Sequence, residues 1–214
     1  MSDIRIMQVN DAAGPAQPPS VPEYSETQTR LLQATLSVIY ELGIDKATTR
    51  RIAERAGVNL QLIQYHFGGK AGLIAAAQDF TRDHFYGLVT PAVAGAPGLA
   101  SAIRAGLAAT WASAREAPEL LQPDLLLQVR RSESQGPGER LPSRAASSHV
   151  STLLEALMAR TGERLSVPLP RFNALLMSSA AGLLLEYRVS GDPEPVGEAF
   201  ELLADLLAQL VVAG

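Results

Sequence analysis

Residues 48–70 read TTRRIAERAGVNLQLIQYHFGGK. Thr48 is a good N-cap, because its hydroxyl can accept from a free N–H in the first turn of a helix. Ile52, Ala53 and Ala56 then recur at helical spacing and give that helix one inward face. Gly57 follows where a helix can end in the left-handed conformation that glycine enters cheaply. Val58 points back as an apolar plug, and Asn59 is a second N-cap for a short helix over 60–67. Two short helices joined by a glycine-containing turn make a helix-turn-helix, whose second helix enters the major groove of DNA.

The charges agree. Within residues 50–70 the bases are Arg50, Arg51, Arg55 and Lys70 and the acid is Glu54, so the segment carries 4 − 1 = +3, whereas the whole chain carries −4. A basic patch on an acidic protein is the expected footprint of a phosphate-docking surface. The bland alternative is that the arginines solvate a helix face, and the capped turn argues against it.

The surrounding residues extend the pattern. Leu31-Leu32, Ala34, Gly43, Thr48, Ile52-Ala53, Ala56-Gly57-Val58, Ile63, Tyr65-His66-Phe67, Lys70 and Leu73 stand at fixed offsets. On these residues the segment 29–73 resembles the DNA-binding domain of TetR/AcrR-type transcriptional regulators. Gln64 stands where that family usually has Tyr, Ala71 where it has Glu, and Asn59 where it has Ser or Thr. A Gln amide can still donate to a phosphate.

The chain has 214 residues, 47% of them hydrophobic and only 5% aromatic, which suits closely packed helices. It has no Cys, so disulfides and thiolate metal sites are excluded. MSDIRIMQVN has no basic region followed by an apolar core and is not read as a signal peptide. No apolar run is long enough to span a bilayer, so a cytoplasmic protein without a membrane role is expected.

The expected fold class is all-α, with an N-terminal three-helix helix-turn-helix domain and a helical C-terminal domain for ligand binding and dimerisation. Residues 1–24 form a proline-rich disordered arm, 25–69 the DNA-binding domain and 70–214 the second domain. Ser25-x-x-Gln28 is a capping box that opens a helix running to Leu42. Further helices are expected over 70–89 (stopped by Pro91), 99–117, 118–131, 142–160, 170–189 and 193–212, with a polar loop over 132–141 and no strand.

The last two helices are apolar over a wide arc, with Leu175, Leu176, Leu183, Leu184 and Leu185 on one and Phe200, Leu202, Leu203, Leu206, Leu207 and Leu210 on the other. Either they lie deep in the monomer or they form a four-helix dimer interface, as the resemblance implies.

Other chemistry is weakly signalled. His66, His84 and His149 lack metal-ligand spacing, so no metal or cofactor is expected. Gly68-Gly69-Lys70 lacks the remainder of a phosphate loop. No catalytic constellation is present, so an enzyme or a plain helical scaffold is the weaker alternative.

The sequence therefore supports a dimeric DNA-binding regulator acting as a repressor on double-stranded DNA. Its operator is expected to be palindromic, with recognition helices about 34–36 Å apart. Asn59, Gln61, Gln64 and Tyr65 are the groove candidates. Thr48, Arg50, Tyr65, His66 and Lys70 are the phosphate candidates. The resemblance further implies a cavity for a small-molecule effector. Helical facing nominates Phe80, His84, Trp111, Gln128, Met177 and Tyr187 as its lining. His84 and Trp111 read equally well as core residues.

Overall fold

A computed structural model describes residues 24–120 and 142–214, with side chains described from residue 149 in the helix that opens at Pro142. The helices are α1 (Glu26–Leu42), α2 (Thr49–Ala56), α3 (Gln61–Phe67), α4 (Lys70–Ala94), α5 (Leu99–Glu116), α6 (Pro142–Thr161), α7 (Leu169–Ser190) and α8 (Pro193–Ala208). Short 3₁₀ turns occupy Ile44–Lys46 and Pro118–Leu120. The all-α class is as expected. The proline-rich arm up to residue 23, most of the helix expected over 118–131 and the polar loop 132–141 lie outside the described residues.

The apolar side chains gather in two clusters. The first, the head, is built from Leu31, Leu32, Leu36 and Ile39 of α1, Ile52 of α2, Ile63 of α3, and Leu73 and Ala77 of α4. The second, the body, joins Val89 and Val93 of α4 to Leu99, Ile103 and Leu107 of α5, Leu154 and Leu157 of α6, Phe172 of α7, and Phe200 and Leu207 of α8. One helix, α4, therefore serves both clusters. Leu32, Thr35, Leu36 and Ile39 make a buried stripe along α1.

Two expectations are corrected. Helix α4 runs through Pro91 to Ala94 instead of stopping near Val89. Proline inside a helix costs about 3 kcal/mol. Val89 and Val93, buried on either side of it, offset that cost at roughly 1.5–3 kcal/mol each. The last helix ends at Ala208, and Val211–Val212 pair antiparallel with Arg164–Leu165, where no strand was expected. Ser166 N–H donates to the Leu210 carbonyl (2.7 Å) beside the pair. Strands of two residues are too short for alternation to reveal.

The end of α6 holds the turn between α4 and α5. Arg160 donates to the Ala94 and Ala96 carbonyls (3.0 and 2.6 Å), and the Glu163 carboxylate accepts from Leu99 N–H (2.5 Å). The cation meets the C-terminal end of one helix and the anion meets the N-terminal end of the next, which matches the sign of each helix dipole.

Candidate nucleic-acid interface

The caps fold as the residue types dictate. Ser25 and Gln28 make the full capping box at the start of α1. Thr48 Oγ1 accepts from Arg51 N–H (3.3 Å). Gly57 takes φ 64°, ψ 38°, the left-handed conformation that closes α2. Asn59 Oδ1 accepts from Gln61 N–H (2.8 Å), so Asn59 caps α3 although that helix begins at Gln61 and not at Leu60. Val58 packs against the head cluster. Arg30 of α1 fixes the turn from behind by donating to the Ala56 carbonyl (2.6 Å). That clamp was not legible in the local motif, because the two residues are 26 apart in sequence.

Ile63, 1% exposed, pins α3 to the head, and the opposite side of the helix faces solvent. Tyr65 is 81% exposed. Gln61, Gln64 and Asn59 are exposed, and so are Thr48 and Arg50 at the start of α2. His66 is half-buried, edge-on to Tyr65 with ring centroids 4.8 Å apart. Lys70 is half-buried at the first position of α4, its Nζ 3.4 Å from the Ile44 carbonyl. Leu60, outside the residues nominated from sequence, is 46% exposed at the tip of α3. Its signal is an apolar residue directly after a cap with no inward neighbour, a type suited to a thymine methyl group.

The basic patch is smaller than the sequence implies. Arg55 is spent on the α1 side, donating to both Glu41 carboxylate oxygens (2.7 and 2.5 Å) and to Ser37 Oγ. That hydrogen bonding holds the Glu41 carboxyl below its ordinary range. Arg51 donates to the Lys46 carbonyl (2.9 Å). Arg50 pairs with Glu54 one turn along α2 at 3.0 Å, with both side chains mostly in solvent. Such exposed pairs are worth only about 0.3–0.5 kcal/mol, so a phosphate can displace the carboxylate readily.

Of the nominated effector residues, Trp111, Met177 and Tyr187 pack against the body cluster, and Phe80 does not join them. Phe80 is corrected to the head: it packs against the head cluster and lies edge-on to Tyr24 (5.9 Å), because the first half of α4 still belongs to that core. His84 sits between α4 and α5, its Nε2 3.0 Å from Ser113 Oγ. Trp111 stacks on Phe200 (5.3 Å) and meets the edge of Tyr187 (5.0 Å), and Met177 packs against the same body cluster. Gly197 makes room for it, since a Cβ there would lie 3.0 Å from the Trp111 indole nitrogen. Trp111 is partly buried at the edge of the body cluster. Gln128 lies outside the described residues. An open groove of about 570 Å³ lies at the head, lined by Arg30, Gln33, Arg55 and Glu119 among others.

Burial pushes both His84 and His149 below the ordinary histidine value of about 6.5. His149 stacks on Tyr86 (4.0 Å) and its Nε2 lies 2.9 Å from Thr90 Oγ1. Both imidazoles take up protons less readily in the folded chain than in the unfolded chain, where they do so below about pH 6.5. Unfolding therefore gains protons, and stability falls as pH drops through that window. Burial raises the Asp83 carboxyl, which acts in the opposite sense, so the histidines are isolated by substitution. Melting temperature should fall between about pH 7.5 and 5.5, and less so in a His84→Asn/His149→Asn chain. An identical pH slope in the two chains would show that burial disfavours neither imidazolium.

Residues 31–77 match the family model of bacterial regulatory proteins, tetR family. The chain carries a TetR-family N-terminal domain. It is 50% identical over 48 residues to the HTH-type transcriptional regulator BetI 1 of Chromohalobacter salexigens, covering 22% of this chain and 24% of that protein. It is 37% identical over 65 residues to TtgR of Pseudomonas putida, covering 29% and 31%. The chain thus spans about a quarter to a third of the length of these curated relatives. The fold likeness is longer. A TetR-family transcription regulator from Marinobacter aquaeolei matches with a TM-score of 0.69 at 19% identity, over 88% of this chain and 96% of that one. A TetR-family regulator from Streptomyces coelicolor matches with a TM-score of 0.61 at 25% identity, over 86% and 99%. The family-model match ends at residue 77, within α4, while the likeness in fold continues through the body. Among the described residues no helix is long and apolar enough to cross a membrane.

Proposed function

We propose that this protein is a homodimeric transcriptional repressor that binds a palindromic DNA operator through α3 and is released by a small, largely apolar effector held in the body. The observation that carries this is the rigid presentation of α3: Ile63 buried beneath it, Asn59 capping it, and Gln61, Gln64 and Tyr65 free on its outer side. Thr48 and Arg50 flank that face as phosphate contacts, and the opening N–H groups of α4 beside Lys70 add a local positive end.

The dimer is supported by apolar side chains left in solvent on the last two helices: Leu175 (51% exposed), Leu185 (40%) and Val189 (77%) on α7, Leu202 (61%) and Leu206 (53%) on α8. A row of this kind marks a contact surface. Half-sites one helical turn apart then follow from two-fold symmetry. The effector is the reading's link between body and head. A molecule favouring a conformer with displaced heads would weaken operator binding by about 1–3 kcal/mol.

Selection from random double-stranded DNA is the direct test. The retained fragments should be inverted repeats, and retention of no sequence above background would sink the proposal. On the selected operator, two substitutions should separate roles. Tyr65→Ala removes a group that contributes little to folding and should cost about 1–3 kcal/mol on the operator while sparing random DNA. Lys70→Ala should weaken binding to all sequences alike and make the salt slope shallower by about one unit. Titrations at several salt concentrations read both, and an unchanged slope in the Lys70 variant would remove its phosphate role.

A further inference from the structure

Arg188, in the last turn of α7, reaches out of the body to the head. Its Nη2 donates to the Tyr40 carbonyl (3.1 Å), and its guanidinium carbon lies 5.1 Å from the centre of the Tyr40 ring. Tyr40 is in the last turn of α1, where carbonyls lack intrahelical donors and a cation is favoured by the dipole. That turn has no basic residue of its own. Arg188, 148 residues away, supplies both the donor and the charge. The next residue, Glu41, holds Arg55 of α2. A path of polar contacts therefore runs from α7 through the end of α1 to the first helix of the helix-turn-helix. Its body end lies in the same turn as Val189, the most exposed apolar residue of the proposed partner face.

We propose that Arg188 is a positioning residue: it ties the DNA-binding head to α7 and so fixes the separation of the two recognition helices. A planar guanidinium suits this role, because it can donate to a carbonyl and lie against an aromatic ring at once. The tie acts within one chain. Only its consequence for operator spacing rests on the dimer proposed above.

The chain has no cysteine, so introduced cysteines can be labelled without background. Spin labels at Tyr65→Cys on α3 and Ala112→Cys on the exposed side of α5 report head against body. The labelled chain is diluted into excess unlabelled chain so that only distances within one chain are read. The wild-type distribution should be narrow. Arg188→Ala should broaden it or add a second population, and Arg188→Lys, which keeps a cation and a donor but loses the planar face, should fall between the two. Tyr40→Leu, which keeps the carbonyl and removes the ring, should broaden it less and serves if Arg188→Ala does not fold. A wild-type distribution in both Arg188→Ala and Tyr40→Leu would overturn the tie.

The second arm uses selected operators whose half-sites are moved by one or two base pairs. Wild type should prefer one spacing by at least about tenfold, and Arg188→Ala by less than about threefold. An equal loss at every spacing, as simple destabilisation would give, overturns the positioning role. Light scattering on wild type reads the dimer separately, so a monomer there refutes the dimer while the distance measurement still decides the tie.

Discussion

Leu206→Glu should give a folded chain that is monomeric and has lost its grip on the operator. Leu206 is 53% exposed on α8, beside Leu202 at 61%, so a carboxylate there costs the free chain little. Buried against a second copy, it would be an unpaired charge in an apolar interface. Loss of two-headed binding removes an avidity of about 10²–10⁴, and operator affinity should fall by that factor while binding of a single half-site is unchanged. Leu207→Glu is the informative contrast. Leu207 is 2% exposed in the body core, so its replacement should unfold the body and not merely part the subunits. Light scattering with circular dichroism separates the two outcomes. A Leu206→Glu chain that still scatters as a dimer would move the interface elsewhere.

Phe172→Ala should cost much of the stability of the body without adding a charge to its core. Phe172 is 1% exposed at the start of α7, within the cluster that joins α4 to α8. Truncating such a ring costs about 3–5 kcal/mol, including the cavity left behind. Domains of this size hold only about 5–15 kcal/mol in total. Each kcal/mol moves melting by about 2–4 °C in chains of this length, so the transition should drop by roughly 6–20 °C. Thermal melts followed at 222 nm check this, and a drop of only a degree or two would mean that the body collapses around the gap.

The head was legible because its determinants are local. Thr48, Gly57 and Asn59 each act on backbone within three residues of themselves, so residue type and order suffice to place α2, the turn and α3. The failures share the opposite property. Pro91 reads locally as a stop, and only Val89 and Val93 meeting α5 explain why α4 continues. Phe80 and Trp111 carry the same aromatic signal, yet one belongs to the head and the other to the body, a distinction fixed by where α4 passes between cores. Arg55 counts as a free positive charge until Glu41, 14 residues back, is folded against it. The Arg188–Tyr40 contact spans most of the described chain, and no pattern within either helix announces it.

The sharing of α4 between two clusters also sets the order in which the chain can mature as it is made. The buried residues of the head core lie between 31 and 77, so that core can close once α4 is half synthesised, with Leu120 added later. The body is not: α5 ends at Glu116, and the α8 residues that cover it, Phe200 and Leu207, arrive only with the helix ending at Ala208, 208 − 116 = 92 residues later. At about 5–20 residues per second, that leaves roughly 5–20 s in which Leu99, Ile103 and Leu107 lack their cover. Contacts of such long sequence separation are also the slow ones to form. A nascent chain therefore carries a closed head core on an unfinished, apolar body. It is during this interval that the bare faces of α5 are most open to aggregation.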